Sequence, residues 1–191
     1  MITLAWDTDD VLNDLMRSWF EHWLAEHPGC RLSYESMTAN PPHGLLGISK
    51  KEYLASLDAF RLSPLFQKME PSPDVYEWFV RHGDRFRHVA LTAVPLIAAS
   101  ASAQWVFKHF GRWIRTFHFV PSKRAGKTIS EYDQDKAEVL QRFGNVDLFI
   151  DDNKEHVSAV QKAGIKAILF PRPWNQSSMS VAKVLEEIES V

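Results

Sequence analysis

Two aspartates one residue apart, Asp7 and Asp9, and an adjacent pair, Asp151 and Asp152, are the side chains of this sequence best suited to chemistry on an anionic ester. A carboxylate with an ordinary pKa of ~3.9 is already ionised at neutral pH, so Asp7 needs no base to act as a nucleophile. Its attack on a phosphate dianion meets charge repulsion, which a divalent cation held between Asp7, Asp151 and the phosphate would relieve. All-oxygen donors suit magnesium, which keeps several waters and takes one or two carboxylates. Asp9 is placed to protonate a leaving alkoxide and then to deprotonate the water that cleaves an aspartyl-phosphate. Thr92 offers a hydroxyl and neighbouring backbone N–H groups to phosphoryl oxygens, and a lysine would neutralise the charge that remains.

These residues need elements that bring them together. Residues 2–6 form a short apolar run with β-branched Ile2 and Thr3, read as a buried strand. Further strands are expected over His88–Leu91, Trp113–Val120, Val146–Ile150 and Lys166–Phe170. Helices are expected over Pro95–His109, Asp135–Phe143, Lys154–Ala163 and Ser180–Ile188, stopped or flanked by Gly and Pro. Strands alternating with helices imply a parallel α/β sheet covered on both faces, and its C-terminal strand ends share one edge. Asp7, Thr92 and Asp151 all fall at such ends.

Between the first strand and His88 the pattern is helical only. Leu15, Trp19 and Trp23 lie beside Met16, Phe20 and Leu24 at helical spacing, a stripe read as packing rather than a base-stacking platform. Residues 28–47 read as loop. Ser49 with Glu52 opens a helix to about Phe60, and Ser72-Pro73 opens another that His82-Gly83 closes. The expected domains are therefore an α/β core of residues 1–14 and 81–191 and a helical cap of residues 15–80.

The composition narrows the function classes. With 22 Lys+Arg against 24 Asp+Glu, the net charge of -2 gives no electrostatic case for a nucleic-acid polymer or a membrane surface. The single cysteine, Cys30, excludes an internal disulfide and a cysteine-based metal site. The lone cysteine makes a reducing cytoplasm the expected location, and the run Met1–Trp6, too short for a signal peptide's apolar region and without basic residues before it, reads as no targeting segment. Gly126-Lys127-Thr128 hints at a phosphate-binding loop, but Pro121 stands where its first glycine belongs. The eight histidines show no metal-ligand spacing.

The segment ITLAWDTDDVLND resembles the first motif of the haloacid dehalogenase-like phosphatase superfamily, an apolar strand followed by Asp-x-Asp. HVALTA resembles its second motif, DQDKAEVLQRFG its third, and VDLFIDDN its fourth, all in the family's order. The resemblance implies a Rossmann-like core, Mg2+, an aspartyl-phosphate on Asp7, and a metal site of the Asp7 and Asp151 carboxylates with the backbone carbonyl of Asp9. It also implies phosphate contacts from Thr92 and a lysine. Lys136 fits best by its distance ahead of Asp151, while Lys127 and Lys123 in a basic loop remain alternatives. Asp10 stands where relatives often carry glycine. The insertion after the first motif resembles a C1-type cap, and Pro173-Trp174-Asn175 resembles the 5′(3′)-deoxyribonucleotidase-like branch.

The expected activity is hydrolysis of a small phosphorylated metabolite, with a nucleotide as the favoured class. Two alternatives stand beside it: a non-catalytic phospholigand-binding module, and a dehalogenase using the same nucleophile. Asp9 argues against the dehalogenase, because family dehalogenases lack an acid there. The roles of Asp152 and Trp174, and the oligomeric state, stay open at this stage. Ser122, Lys123, Arg124 and Lys127 read as a solvated basic loop.

Overall fold

The computed structural model describes residues 1–124, 132 and 135–191. Its centre is a sheet of five parallel strands: β1 (Thr3–Trp6), β2 (Arg87–Val94), β3 (Ile114–Pro121), β4 (Leu148–Asp151) and β5 (Lys166–Leu169). The strand order is β3-β2-β1-β4-β5. β1 therefore lies in the middle, paired with β2 (Trp6 opposite Ala90) and with β4 (Trp6 opposite Ile150). The chain reverses direction of travel across the sheet at β1, and its C-terminal end is where two connections part to opposite sides.

Both faces of the sheet are covered, which explains the continuous apolar runs in the sequence. Successive residues point to opposite sides. Leu4, Trp6, Ala90, Leu148 and Ile150 enter one core, whereas Ala5, Val89, Leu91 and Phe149 enter a second with Val139, Leu140 and Val160.

Helices α1 (Leu15–Glu26), α2 (His43–Leu46), α3 (Lys50–Leu62), α4 (Pro64–Lys68) and α5 (Pro73–His82) all fall between β1 and β2. The expected capping box is present at α3: Ser49 Oγ accepts from Glu52 N at 3.2 Å, and Glu52 Oε2 accepts from Ser49 N at 2.8 Å. The stretch 28–47, expected as loop, contains α2, which ends on Gly47 in a left-handed conformation at φ 68°. α4 was not expected; Ser63 caps it and Pro64 occupies its first turn. The core then continues with α6 (Leu96–Phe110), α7 (Lys136–Phe143), α8 (Lys154–Lys162) and α9 (Val181–Glu189). β2 extends two residues past Thr92 because Ala93 and Val94 still pair with Val120 and Pro121 of β3. Among the described residues, no helix is long and apolar enough to cross a membrane.

α5 is anchored on the sheet by aromatic packing around Trp6. Trp78 and Phe79 lie 5.4 and 5.0 Å from the Trp6 ring. The Trp6 indole N–H donates to His88 Nδ1 at 3.0 Å, so the other ring nitrogen carries the proton and donates to the Gly83 carbonyl at 2.8 Å. Both nitrogens of a neutral imidazole are thereby used. Burial pushes the His88 pKa down to about 4.

A base whose folded-state pKa is depressed stabilises the fold above its unfolded pKa of 6.5, and the contribution is lost as pH falls towards 4. Asp7 and Asp10, with raised values, act in the opposite sense, so the expected signal is a difference. The stability margin of the wild type over His88→Gln, from urea denaturation, should shrink by about 3 kcal/mol between pH 7 and pH 4. A margin independent of pH would mean that His88 does not titrate in this way.

Candidate active site

The C-terminal end of β1 runs straight into an acidic turn. Asp7 Oδ1 accepts from the N–H of Thr8 at 2.7 Å, which caps the turn. Asp10 sits at φ 62°, in the left-handed region that side chains other than glycine seldom adopt. It is held there from three sides. Its Oδ1 accepts from Met16 N at 2.9 Å, its N–H donates to Asn13 Oδ1 at 3.1 Å, and its carbonyl accepts from Arg172 Nε at 2.6 Å. Glycine, having no Cβ, is the residue that adopts this conformation at least cost. Burial pushes the Asp10 carboxyl up to about 7 against the opposing pull of Arg172.

The end of β4 supplies the facing acids. Carboxylate oxygens of Asp7, Asp151 and Asp152 all lie within 4.8 Å of one another, and all three residues are buried. Lys136, the first residue of α7 and 1% exposed, stands between two of them. Its Nζ is 2.8 Å from Asp7 Oδ2 and 2.7 Å from Asp151 Oδ2. Asp135 caps α7 by accepting from Glu138 N at 2.9 Å, which fixes the helix start that aims Lys136 inward.

The electrostatics separate the three acids. Burial pushes Asp7 up to about 6 despite Lys136. Burial, with repulsion from Asp151, Asp10 and Asp7 added, holds Asp152 well above the usual carboxylate range. Burial acts on Asp151 too, but Lys136 and His156 outweigh it and hold Asp151 below its ordinary value. Burial disfavours the charge on Lys136, yet Asp151 and Asp7 more than compensate and raise it above the usual lysine range. Three buried carboxylates against one lysine, with oxygen donors only, fit a hard divalent cation such as magnesium.

Asp9 faces α3. Its Oδ2 is 2.8 Å from Arg61 Nη2, and both residues are buried. Arg61 also reaches Asp58 one turn earlier at 3.4 Å. Asp58 in turn takes two hydrogen bonds from Arg124, after β3, at 2.7 and 2.8 Å. A cavity of about 310 Å³ opens between these groups and the acidic turn. Lys50, Tyr53, Leu54, Leu57 and Arg61 of α3 all line it, one face of the helix at spacings of three and four. Thr92 lines it from β2; its hydroxyl is fully buried and makes no hydrogen bond within the protein.

The structure thus brings Asp7, Asp9, Thr92, Lys136 and Asp151 to one end of the sheet. Of the two candidate lysines among the described residues, Lys136 bridges the acids. Lys123 is exposed and is not among the cavity-lining residues, and Lys127 lies outside the described residues. Arg124, read from the sequence as part of a solvated loop, instead pairs with Asp58 and lines the cavity. Sequence reasoning missed Arg61 and Asp58 altogether; the signal that could have found Arg61 is the mixed polar and apolar face of α3. It left Asp152 undecided, and the structure places that carboxylate in the acidic cluster.

No family model matches the chain, and the search of curated proteins returns no match. Solved structures do match. A haloacid dehalogenase-like hydrolase from Streptococcus pneumoniae is 12% identical over 97% of this chain and 90% of its own, with a TM-score of 0.61. A protein assigned as a beta-phosphoglucomutase from Thermotoga maritima is 18% identical over 100% of both chains, with a TM-score of 0.62. A hydrolase of the same superfamily from Bacillus subtilis, described as bound to magnesium, is 14% identical over 99% and 97%, with a TM-score of 0.58. At these identities the likeness is one of fold, and it covers essentially the whole chain.

Removing one member of a buried charge cluster leaves the others uncompensated, at about 3–5 kcal/mol. Lys136→Met should therefore lower stability by that amount in urea denaturation at pH 7.5. A loss below about 1 kcal/mol would show that Lys136 is not the counter-charge of Asp7 and Asp151.

Proposed function

We propose that this chain, which has the haloacid dehalogenase fold, is a magnesium-dependent phosphohydrolase acting on a small phosphomonoester. The observation that carries this reading is the meeting of Asp7, Asp151 and Asp152 within 4.8 Å beside Lys136, at the edge of a cavity that Asp9 and Thr92 also line. Asp7, Asp151 and Asp152 would hold the cation, joined by the backbone carbonyl of Asp9 that the family resemblance implies. When bound, magnesium neutralises charge between a carboxylate nucleophile and a phosphate.

The protein's own groups divide the remaining work. An Asp7 carboxylate oxygen forms the new bond to phosphorus as the bond to the ester oxygen breaks. Asp9 gives its proton to that leaving oxygen and later takes one from the water that releases phosphate from Asp7. Arg61 orients the Asp9 carboxylate, and the Thr92 hydroxyl donates to a phosphoryl oxygen. Lys136 balances charge as it develops.

The inserted segment 15–80 serves in this reading as the specificity-bearing cap, with α3 as its working face and α5 as its anchor on the sheet. The cavity volume lies at the lower end of the usual range for small-molecule sites. A 5′-nucleotide is the class to test first, alongside smaller phosphorylated metabolites. The presence of Asp9 beside the nucleophile supports a phosphate ester over a carbon–halogen bond, because a halide leaves without a proton.

A screen of phosphorylated metabolites and nucleotides with Mg2+ should release phosphate from at least one compound. In that assay Asp7→Asn should lose about a thousandfold or more in kcat while remaining folded. Asp9→Asn should lose about 10²–10⁴-fold. Full turnover by Asp7→Asn would end the proposal, and thermal stabilisation by a phosphorylated compound without phosphate release would favour a binding module instead.

A further inference from the structure

The three clustered carboxylates are held in different ways. Asp7 and Asp151 each take one backbone N–H, from Thr8 and Asn153, and share the Lys136 ammonium. Asp152 instead takes a neutral donor: the indole N–H of Trp174 donates to its Oδ2 at 2.7 Å. The carbonyl of Asp152 accepts from Asn175 Nδ2 at 2.7 Å, and the same amide donates to the Phe170 carbonyl at 2.6 Å. Asn175 is 2% exposed, so this link is internal to the fold.

The same segment also grips the opposite loop. Arg172 donates to the carbonyls of Asp10 and Asn13 at 2.6 and 3.3 Å and pairs with Asp14 Oδ1 at 2.6 Å. Residues 170–177 are thus bonded both to the turn after β1 and to the loop after β4, the two pieces of backbone whose acids repel one another. The Trp174 ring is steadied by Tyr34, which lies edge-on at 6.1 Å.

A lysine or arginine on Asp152 would compete with a cation for its charge. An indole is a donor only, carries one N–H and bears no charge, so it fixes the direction of the carboxylate and leaves its negative charge available. We infer that Trp174 is a positioning residue for the metal site, aiming the Asp152 carboxylate at the cation from a clasp formed by residues 170–177. The inference rests on the reading of Asp152 as a magnesium ligand.

The test uses magnesium chloride alone, without substrate. Calorimetric titration should show Trp174→Phe, which keeps a ring beside Tyr34 but has no N–H, binding Mg2+ about 10–100-fold more weakly than wild type. Its kcat at saturating Mg2+ should stay within a few-fold, with the metal concentration needed for half-maximal rate raised in step. Wild-type protein labelled with ¹⁵N in the indoles of its seven tryptophans should show one N–H signal that moves on Mg2+ addition and is missing from the variant. Equal Mg2+ affinities within twofold, or a wild-type spectrum in which no indole signal moves although Mg2+ binds, would overturn the role of Trp174 and leave the phosphatase reading standing. Failure of wild type to bind Mg2+ at all would instead remove the metal site itself.

Discussion

Three carboxylates, Asp7, Asp151 and Asp152, are buried with oxygens within 4.8 Å of one another, and most of the local structure around them opposes their repulsion. With an effective dielectric constant of ~20, two unit charges at that separation repel by about 3–4 kcal/mol. The loops that carry them come from β1 and β4, which are neighbours in the sheet, so the repulsion acts between adjacent strand ends. Lys136 cancels part of it; burial first, and the remaining repulsion second, raise Asp7 and Asp152 above the usual carboxylate range. The parallel sheet makes the closeness unavoidable, because it delivers both strand ends to one edge.

Restraint comes from elements distant in sequence. α7 contributes Lys136 through a capped helix start, and the segment after β5 contributes Arg172, Trp174 and Asn175. Deep packing beneath the site supplies the rigidity. Trp6, the residue before Asp7, is fully buried between Trp78, Phe79 and His88, so the strand end cannot drift away from its neighbours without breaking the core. A site held within a fraction of an ångström needs supports of this kind behind the groups that react.

The fold and much of the candidate site's placement were legible in the sequence for the same reason. Parallel-sheet strands are short apolar runs with polar residues at one end, and the polar ends at Asp7, Thr92 and Asp151 come together at the candidate site. Helix starts announced by local chemistry, such as Ser49 with Glu52 or Pro73, also read correctly. What escaped notice depends on tertiary placement. Arg61 lies just past the expected end of its helix, in what is the last turn of α3, and only the packing of α3 over the β1 turn brings it to Asp9. Arg124 reads as a surface residue until Asp58, 66 positions away, is seen to accept from it. Trp174 carries no signature of its bond to Asp152, since indoles follow strands for many reasons.

The pairs Arg61–Asp9 and Arg124–Asp58 join the inserted helices to the core crosswise: α3 gives a cation to the turn after β1 and an anion to the end of β3. Buried ion pairs of this sort add little net stability, because desolvation offsets most of the attraction, but each partner strongly disfavours any arrangement that leaves it alone. The consequence is geometric. α3 has one low-energy seat over the sheet, and in that seat its apolar residues Leu54 and Leu57 face the same cavity as Asp7 and Asp9. The orientation of Asp9 is thereby tied to the position of α3.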